Sequence, residues 1–160
     1  MISLEGLVLI AEDDPNDAYF IQRAFQKCGF RRTPHVCPDG METIEYLEGR
    51  GTYADRRHYP FPRLLVTDLK MPRFNGFELL KWLHEHPDFM VVPTVVMTSS
   101  KDPGDVKYAY CLGANAYLTK PTSPVELEQA IRSLLEFWKW CEIPHIGQNP
   151  TCHQLSEKRV

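Results

Sequence analysis

The strongest constraint on this chain is an alternation of short unbroken apolar runs with marked helix starts. Leu7-Val8-Leu9-Ile10-Ala11, Leu64-Leu65-Val66 and Val95-Val96-Met97 are continuous apolar runs, and weaker ones lie at residues 34–37 and 116–118. A strand with one wet face alternates polar and apolar residues. An unbroken run belongs to a strand covered on both faces, as in a parallel sheet. Asp14-Pro15, Asp102-Pro103 and Ser123-Pro124 each place a capping side chain before a proline at the first helical position. Asp39 with Glu42, Asn75 with Glu78 and Ser123 with Glu126 add the spacing of a capping box. Five helix starts after five strand candidates predict an α/β fold: a doubly wound five-stranded parallel sheet with five helices.

Composition narrows the class. The chain has 160 residues, 43% of them hydrophobic and 24% charged, which suits one globular domain. The pattern assigns residues 4–141 to that domain and 142–160 to a tail without an output domain. Eighteen basic against 21 acidic residues give a net charge of −3, so no nucleic-acid partner is expected. No apolar run reaches the ~18 residues of a membrane helix. The start MISLEGLVLI has no basic leader, and five scattered cysteines (28, 37, 111, 141, 152) read as reduced, mostly packed thiols; both point to the cytoplasm. Residues 49–62 show no periodicity. Their arginines are read as part of a solvated loop rather than a contact for an acidic partner.

Helical spacing assigns two further faces. In the first helix Ala18, Ile21, Phe25 and Cys28 form the inward stripe, leaving Phe20, Arg23, Ala24 and Lys27 on the outer arc. In the last helix Leu127, Ile131, Leu134, Leu135 and Trp138 share the core face, with Phe137 at its edge and Trp140 outside it. Trp140 either receives the tail at Ile143 and Ile146 or belongs to a partner surface.

Ligands of open parallel sheets bind beyond the carboxyl ends of the strands. Those ends carry Glu12, Asp13 and Asp14, then Asp68, then Thr98 with Ser99 and Ser100, and finally Lys120. Asp14 reads first as a helix cap. Two carboxylates about 4 Å apart repel by roughly 4 kcal/mol at an effective dielectric near 20. Such a group needs a cation, and oxygen donors without His or Cys favour Mg²⁺, with Mn²⁺ able to substitute. A divalent ion beside an aspartate, with a lysine and a threonine hydroxyl, makes a receptacle for a phosphoryl group.

These motifs resemble the receiver domains of two-component response regulators. The matching stretches are LVLIAEDDPND, LLVTDLKMPRFNG, PTVVMTSS and GANAYLTKP; the aromatic-ended last helix and the long loop most resemble single-domain regulators of the phytochrome-associated type. The resemblance implies a flavodoxin-like receiver fold. It implies that Asp68 accepts a phosphoryl group from a sensor histidine kinase or phosphotransfer protein. It also implies Mg²⁺ bound by Asp13, Asp68 and the Lys70 backbone carbonyl, with Glu12 acting through water. Lys120 would pair with the phosphoryl group, and Thr98 and Tyr117 would form the switch. In such proteins the fourth helix, fifth strand and fifth helix form an output face, where a homodimer through the last helix is expected. Lys70 and Ser100 stand where the family tunes phosphoryl lifetime.

Two other functions fit parts of the pattern. A haloacid-dehalogenase-type phosphatase also uses Asp, Mg²⁺ and Lys on a parallel sheet, but EDDPND and the Leu69-Lys70-Met71 run lack its D-x-D-x-[T/V] signature. A phosphorylation-independent adaptor fits poorly with intact acids, hydroxyl and lysine. The expected role is a phosphoacceptor switch rather than an enzyme.

Overall fold

A computed structural model describes residues 6–144 and 152–157. Five parallel strands form one sheet: β1 Leu7–Ala11, β2 His35–Cys37, β3 Pro62–Thr67, β4 Thr94–Thr98 and β5 Ala116–Thr119, in the order β2-β1-β3-β4-β5. Helices α1 Pro15–Lys27, α2 Gly40–Glu48, α3 Gly76–Glu85, α4 Pro103–Cys111 and α5 Pro124–Trp138 follow the strands in turn. The order reverses across β1, so the crevice beyond β1 and β3 is the expected place for a ligand.

The capping signals form as spelled. Asp14 accepts from the backbone N–H of Asn16 and Asp17, Asp102 from those of Gly104 and Asp105, and Ser123 from that of Glu126. Asn75 and Glu78 make a reciprocal capping box. Asp39 accepts from the Glu42 N–H, but the Glu42 carboxylate instead accepts from the Tyr53 hydroxyl.

Both faces of β1 are buried, and its pleat sorts the core into two halves. Val8 and Ile10 face α1 and α5, among Ile21, Phe25, Ile131 and Trp138. Leu7, Leu9 and Ala11 face the other side with Ile44 and Leu47 of α2 and Leu79 and Leu83 of α3. A third cluster joins Leu80, Val96 and Ala109, the one buried residue of α4. Five residues of α5 are buried by contrast.

Three expectations need correction. Ala24 lies on the inner face of α1, because its small side chain is buried in the cluster that α1 shares with α5, which widens the buried stripe. Residues 49–62 are not a patternless solvated loop. Gly51–Ala54 forms a 3₁₀ turn that buries Tyr53. The Arg56 guanidinium donates to the carbonyls of Tyr46 (2.8 Å) and Leu47 (2.6 Å), closing the C-terminus of α2, and lies over the Phe61 ring. Finally, the tail holds a sixth short helix, α6 Cys152–Glu157, whose first residue donates through its N–H to Asp88. Six residues are too few to show a period in sequence.

Ile143 is buried with Trp138 in the main core, while Trp140 remains 85% exposed, so this part of the tail does not cover it. Ile146 and residues 1–5 lie outside the described residues.

Gly76 fixes the approach of α3 to the end of β3. A Cβ at this position would lie 2.0 Å from the Asp68 carbonyl oxygen and 2.7 Å from Leu69 Cα. Both are backbone atoms, so no side-chain rotation relieves the clash. Gly76→Ala should therefore destabilise the fold by about 2–3 kcal/mol, read as a lowered midpoint in urea with unchanged slope.

Candidate functional site

The strand register builds the site. Ala11 pairs with Thr67, the Asp68 N–H donates to the Ala11 carbonyl (2.9 Å) and the Glu12 N–H to the Cys37 carbonyl (3.0 Å). Glu12 and Asp68 thus leave adjacent strands side by side. On the other flank Thr98 pairs with Thr119, and the Lys120 N–H donates to the Thr98 carbonyl (2.7 Å). The four strand-end segments singled out in the sequence converge here.

Asp68 is buried, and its two oxygens are held differently. Oδ1 accepts from the N–H groups of Leu69 (2.6 Å) and Lys70 (3.3 Å), whereas Oδ2 lies 2.7 Å from Lys120 Nζ. The same ammonium lies 2.7 Å from Glu12 Oε2 and 2.7 Å from Asp17 Oδ2. Asp17 is a site residue that sequence reasoning missed. It sits in the first turn of α1, where an acid is explained by the Asp14 cap and the helix dipole alone. Its signal was the spacing of three residues beyond the cap, which turns the side chain back toward the strand ends.

Burial pushes the Glu12 carboxyl up to about 7; Lys120 and the Asp14 N–H pull it back, and the Asp68 charge adds to the rise. Burial alone disfavours the Lys120 charge, but its hydrogen bonds to Asp17, Asp68 and Glu12 overcome this and hold it well above its ordinary value. One permanent cation therefore serves three carboxylates.

Glu12, exposed Asp13 and Asp68 can each bring an oxygen within 4.8 Å of the others. A buried carboxyl that resists ionisation, grouped with other hard oxygen donors, fits a divalent cation. Lys70 donates its N–H to Asp68, which brings its backbone to the same edge.

Thr98 is fully buried at the end of β4, and its Oγ1 accepts from the Ser100 N–H (3.4 Å). Tyr117 is half-buried and its hydroxyl donates to the Ser100 carbonyl (3.0 Å). The Ser100 hydroxyl donates to Asp105 (2.5 Å), which fixes the loop that Tyr117 grips. In the loop after Asp68, Arg73 takes φ 63° and donates to the buried Asp39. Beside the site, Asp17, Phe20, Ile21, Lys120, Pro121 and Leu127 line a cleft of about 230 Å³.

Residues 8–132 match the family model described as the response regulator receiver domain. Response regulator Rcp1 of Synechocystis is 29% identical over 132 residues, covering 82% of this chain and 88% of that protein. Its Mn²⁺-bound crystal structure superposes with a TM-score of 0.77, covering 88% of this chain and 99% of that one. The response regulator RPA3017, of red light signaling in R. palustris, reaches 0.82 at 30% identity over 88% of this chain and 99% of its own. The phosphorylated cyanobacterial phytochrome response regulator RcpA reaches 0.77 at 30% identity with the same coverage. No helix among the described residues is long and apolar enough to cross a membrane.

The Glu12 carboxyl sets a pH dependence. Its pKa of about 7 exceeds the unfolded value near 4.3, so the folded state holds the extra proton between them. Without a cation, this group makes stability fall as pH rises through that window and level off above it. A cation that needs the carboxylate displaces the proton, so its apparent affinity should fall up to about tenfold per unit below pH 7. Mn²⁺ titrations followed by thermal shift at pH 6 and 8 check this, and Glu12→Gln should flatten the dependence.

Proposed function

Because the chain belongs to the response regulator receiver family, we propose that it is a phosphoacceptor switch, with Asp68 taking a phosphoryl group from a sensor histidine kinase or phosphotransfer protein. The observation that carries the reading is the single ammonium of Lys120 set 2.7 Å from Asp68 Oδ2, with the hydroxyl of Thr98 on the same edge. An oxygen of Asp68 attacks phosphorus, and the bond from phosphorus to the donor's nitrogen or oxygen breaks. Its electron pair leaves with the donor, and Asp68 becomes a mixed carboxylic–phosphoric anhydride. The N–H groups of Leu69 and Lys70 hold the carboxylate in place for this attack. Lys120 and the Thr98 proton meet the charge on the phosphoryl oxygens.

Asp13, Asp68 and the Lys70 carbonyl, with Glu12 through water, would hold Mg²⁺ or Mn²⁺. Bound there, the ion neutralises phosphoryl charge and relieves the repulsion among the acids. The Mn²⁺-bound structure of Rcp1 supports this assignment. After transfer, the Thr98 hydroxyl moves to the phosphoryl group and the Tyr117 ring follows it, reshaping the face of α4, β5 and α5. Phe137 and Trp140, 64% and 85% exposed, extend that face for a protein partner or a second copy of the chain. The protein acts as a switch in the cytoplasm rather than as an enzyme. A phosphatase reading lacks support, since neither EDDPND nor the run after Asp68, Leu69-Lys70-Met71, supplies the D-x-D-x-[T/V] signature.

Acetyl phosphate with Mg²⁺ should label the wild type up to one phosphoryl group per chain, as an acid-stable, base-labile adduct. Asp68→Asn should abolish the label; labelling of that variant at the same stoichiometry overturns the assignment.

A kinase must dock beside this crevice, and Phe20 stands 42% exposed at the rim of the neighbouring cleft. Phe20→Ala should slow phosphotransfer from the cognate kinase about tenfold, the effect of losing one interface anchor, and spare labelling by acetyl phosphate. Equal slowing with both donors assigns Phe20 to the fold instead.

A further inference from the structure

We propose that Asp17 is a positioning residue for Lys120, an internal competitor that holds the ammonium until a phosphoryl group takes it and that is then released toward solvent. This rests on the phosphoacceptor reading of Asp68. Lys120 Nζ donates to Asp17 and Asp68 and lies 2.7 Å from Glu12 Oε2, so three carboxylate oxygens already surround the ammonium. A phosphoryl oxygen entering this shell must displace one of them.

Burial decides which. The Glu12 and Asp68 side chains are 2% and 8% exposed and grow from strand ends, whereas that of Asp17 is 45% exposed and grows from a helix. Leaving the buried Glu12 carboxylate without its cation is costly, and Asp68, which itself carries the arriving phosphoryl group, stays beside the ammonium, while the half-exposed Asp17 is rehydrated by water. Asp17 is therefore the contact surrendered.

Its position gives the surrender a readout. Asp17 is held to α1 by its own N–H, which donates to Asp14 Oδ1 (3.1 Å), while Lys120 opens the connection from β5 to α5. The Asp17–Lys120 pair spans the cleft that Phe20 and Pro121 also line, so it ties α1 to that connection. Occupancy of the acceptor cuts the tie. The first turn of α1 then loosens only when Asp68 carries its group.

The test uses the full chain and beryllofluoride with Mg²⁺ as the phosphoryl mimic, with binding followed by calorimetry and by amide exchange. Asp17→Asn should bind the mimic about three- to tenfold more tightly, as expected for losing a competing charge in a half-exposed pair. Asp17→Ser, a second neutral variant, should do the same if the amide disturbs the helix start. Asp17→Glu should return the affinity to within about twofold of wild type, because a carboxylate again reaches the ammonium. In the wild type the mimic should raise amide exchange in the first turn of α1. In Asp17→Asn that exchange should already be raised and should not change. Unchanged or weakened binding in both neutral variants overturns the proposal, as does failure of Asp17→Glu to restore competition. A wild type that binds no mimic instead overturns the assignment of Asp68, and this proposal with it.

Discussion

The structure turns on a charge imbalance that the sheet register makes unavoidable. Pairing Ala11 with Thr67 sets Glu12 beside Asp68 at the ends of two buried strands, with Asp13 at the rim. Carboxylates so placed repel one another in a medium that screens poorly. The fold supplies one fixed cation, Lys120, from the far flank of the sheet, and the ladder bond from its N–H to the Thr98 carbonyl sets it in place. Every other feature of the crevice is arranged around that deficit. Backbone N–H groups hold Asp68 Oδ1, Glu12 resists ionisation, and Asp17 shares the ammonium. A site short of positive charge is suited to receive a divalent ion together with a phosphoryl group, because both partners of the missing balance arrive together.

Most of this was legible in the sequence because its causes are local. An apolar run without polar interruptions encodes a strand buried on both faces, and a cap followed by proline encodes a helix start. Both hold whatever the rest of the chain does. The convergence of Glu12, Asp13, Asp68, Thr98 and Lys120 follows from topology once the strands are placed. What was not legible depends on pairs far apart in the chain. Asp17 meets Lys120 across more than a hundred residues, and its position is fully explained by helix chemistry nearby. Glu42 has capping-box spacing, yet the Tyr53 hydroxyl captures its carboxylate. Arg56 belongs to a stretch with no period because its role is to close α2 through carbonyls rather than to follow a helix or strand of its own.

Ala24 shows the same limit on a smaller scale. A helical wheel assigns a face by angle, but the width of the buried stripe is set by the neighbour. The α1–α5 contact widens it by one residue, so a position on the outer arc is in the core.

The unequal burial of the helices divides the molecule into a stiff wall and a compliant one. On one side of the sheet α5 is locked by five buried side chains, Trp138 among them, against α1. On the other, α4 contributes one fully buried side chain, the methyl group of Ala109, whose burial is worth about 1 kcal/mol, beside the half-exposed Tyr108 ring on Phe77. Displacing α4 leaves the α1–α5 packing intact, because Val95 and Met97 of β4 face one cluster and Val96 the other, and the two clusters share no residue. Work done at the crevice can thus be absorbed by one helix while the scaffold that holds the acids in register keeps its shape.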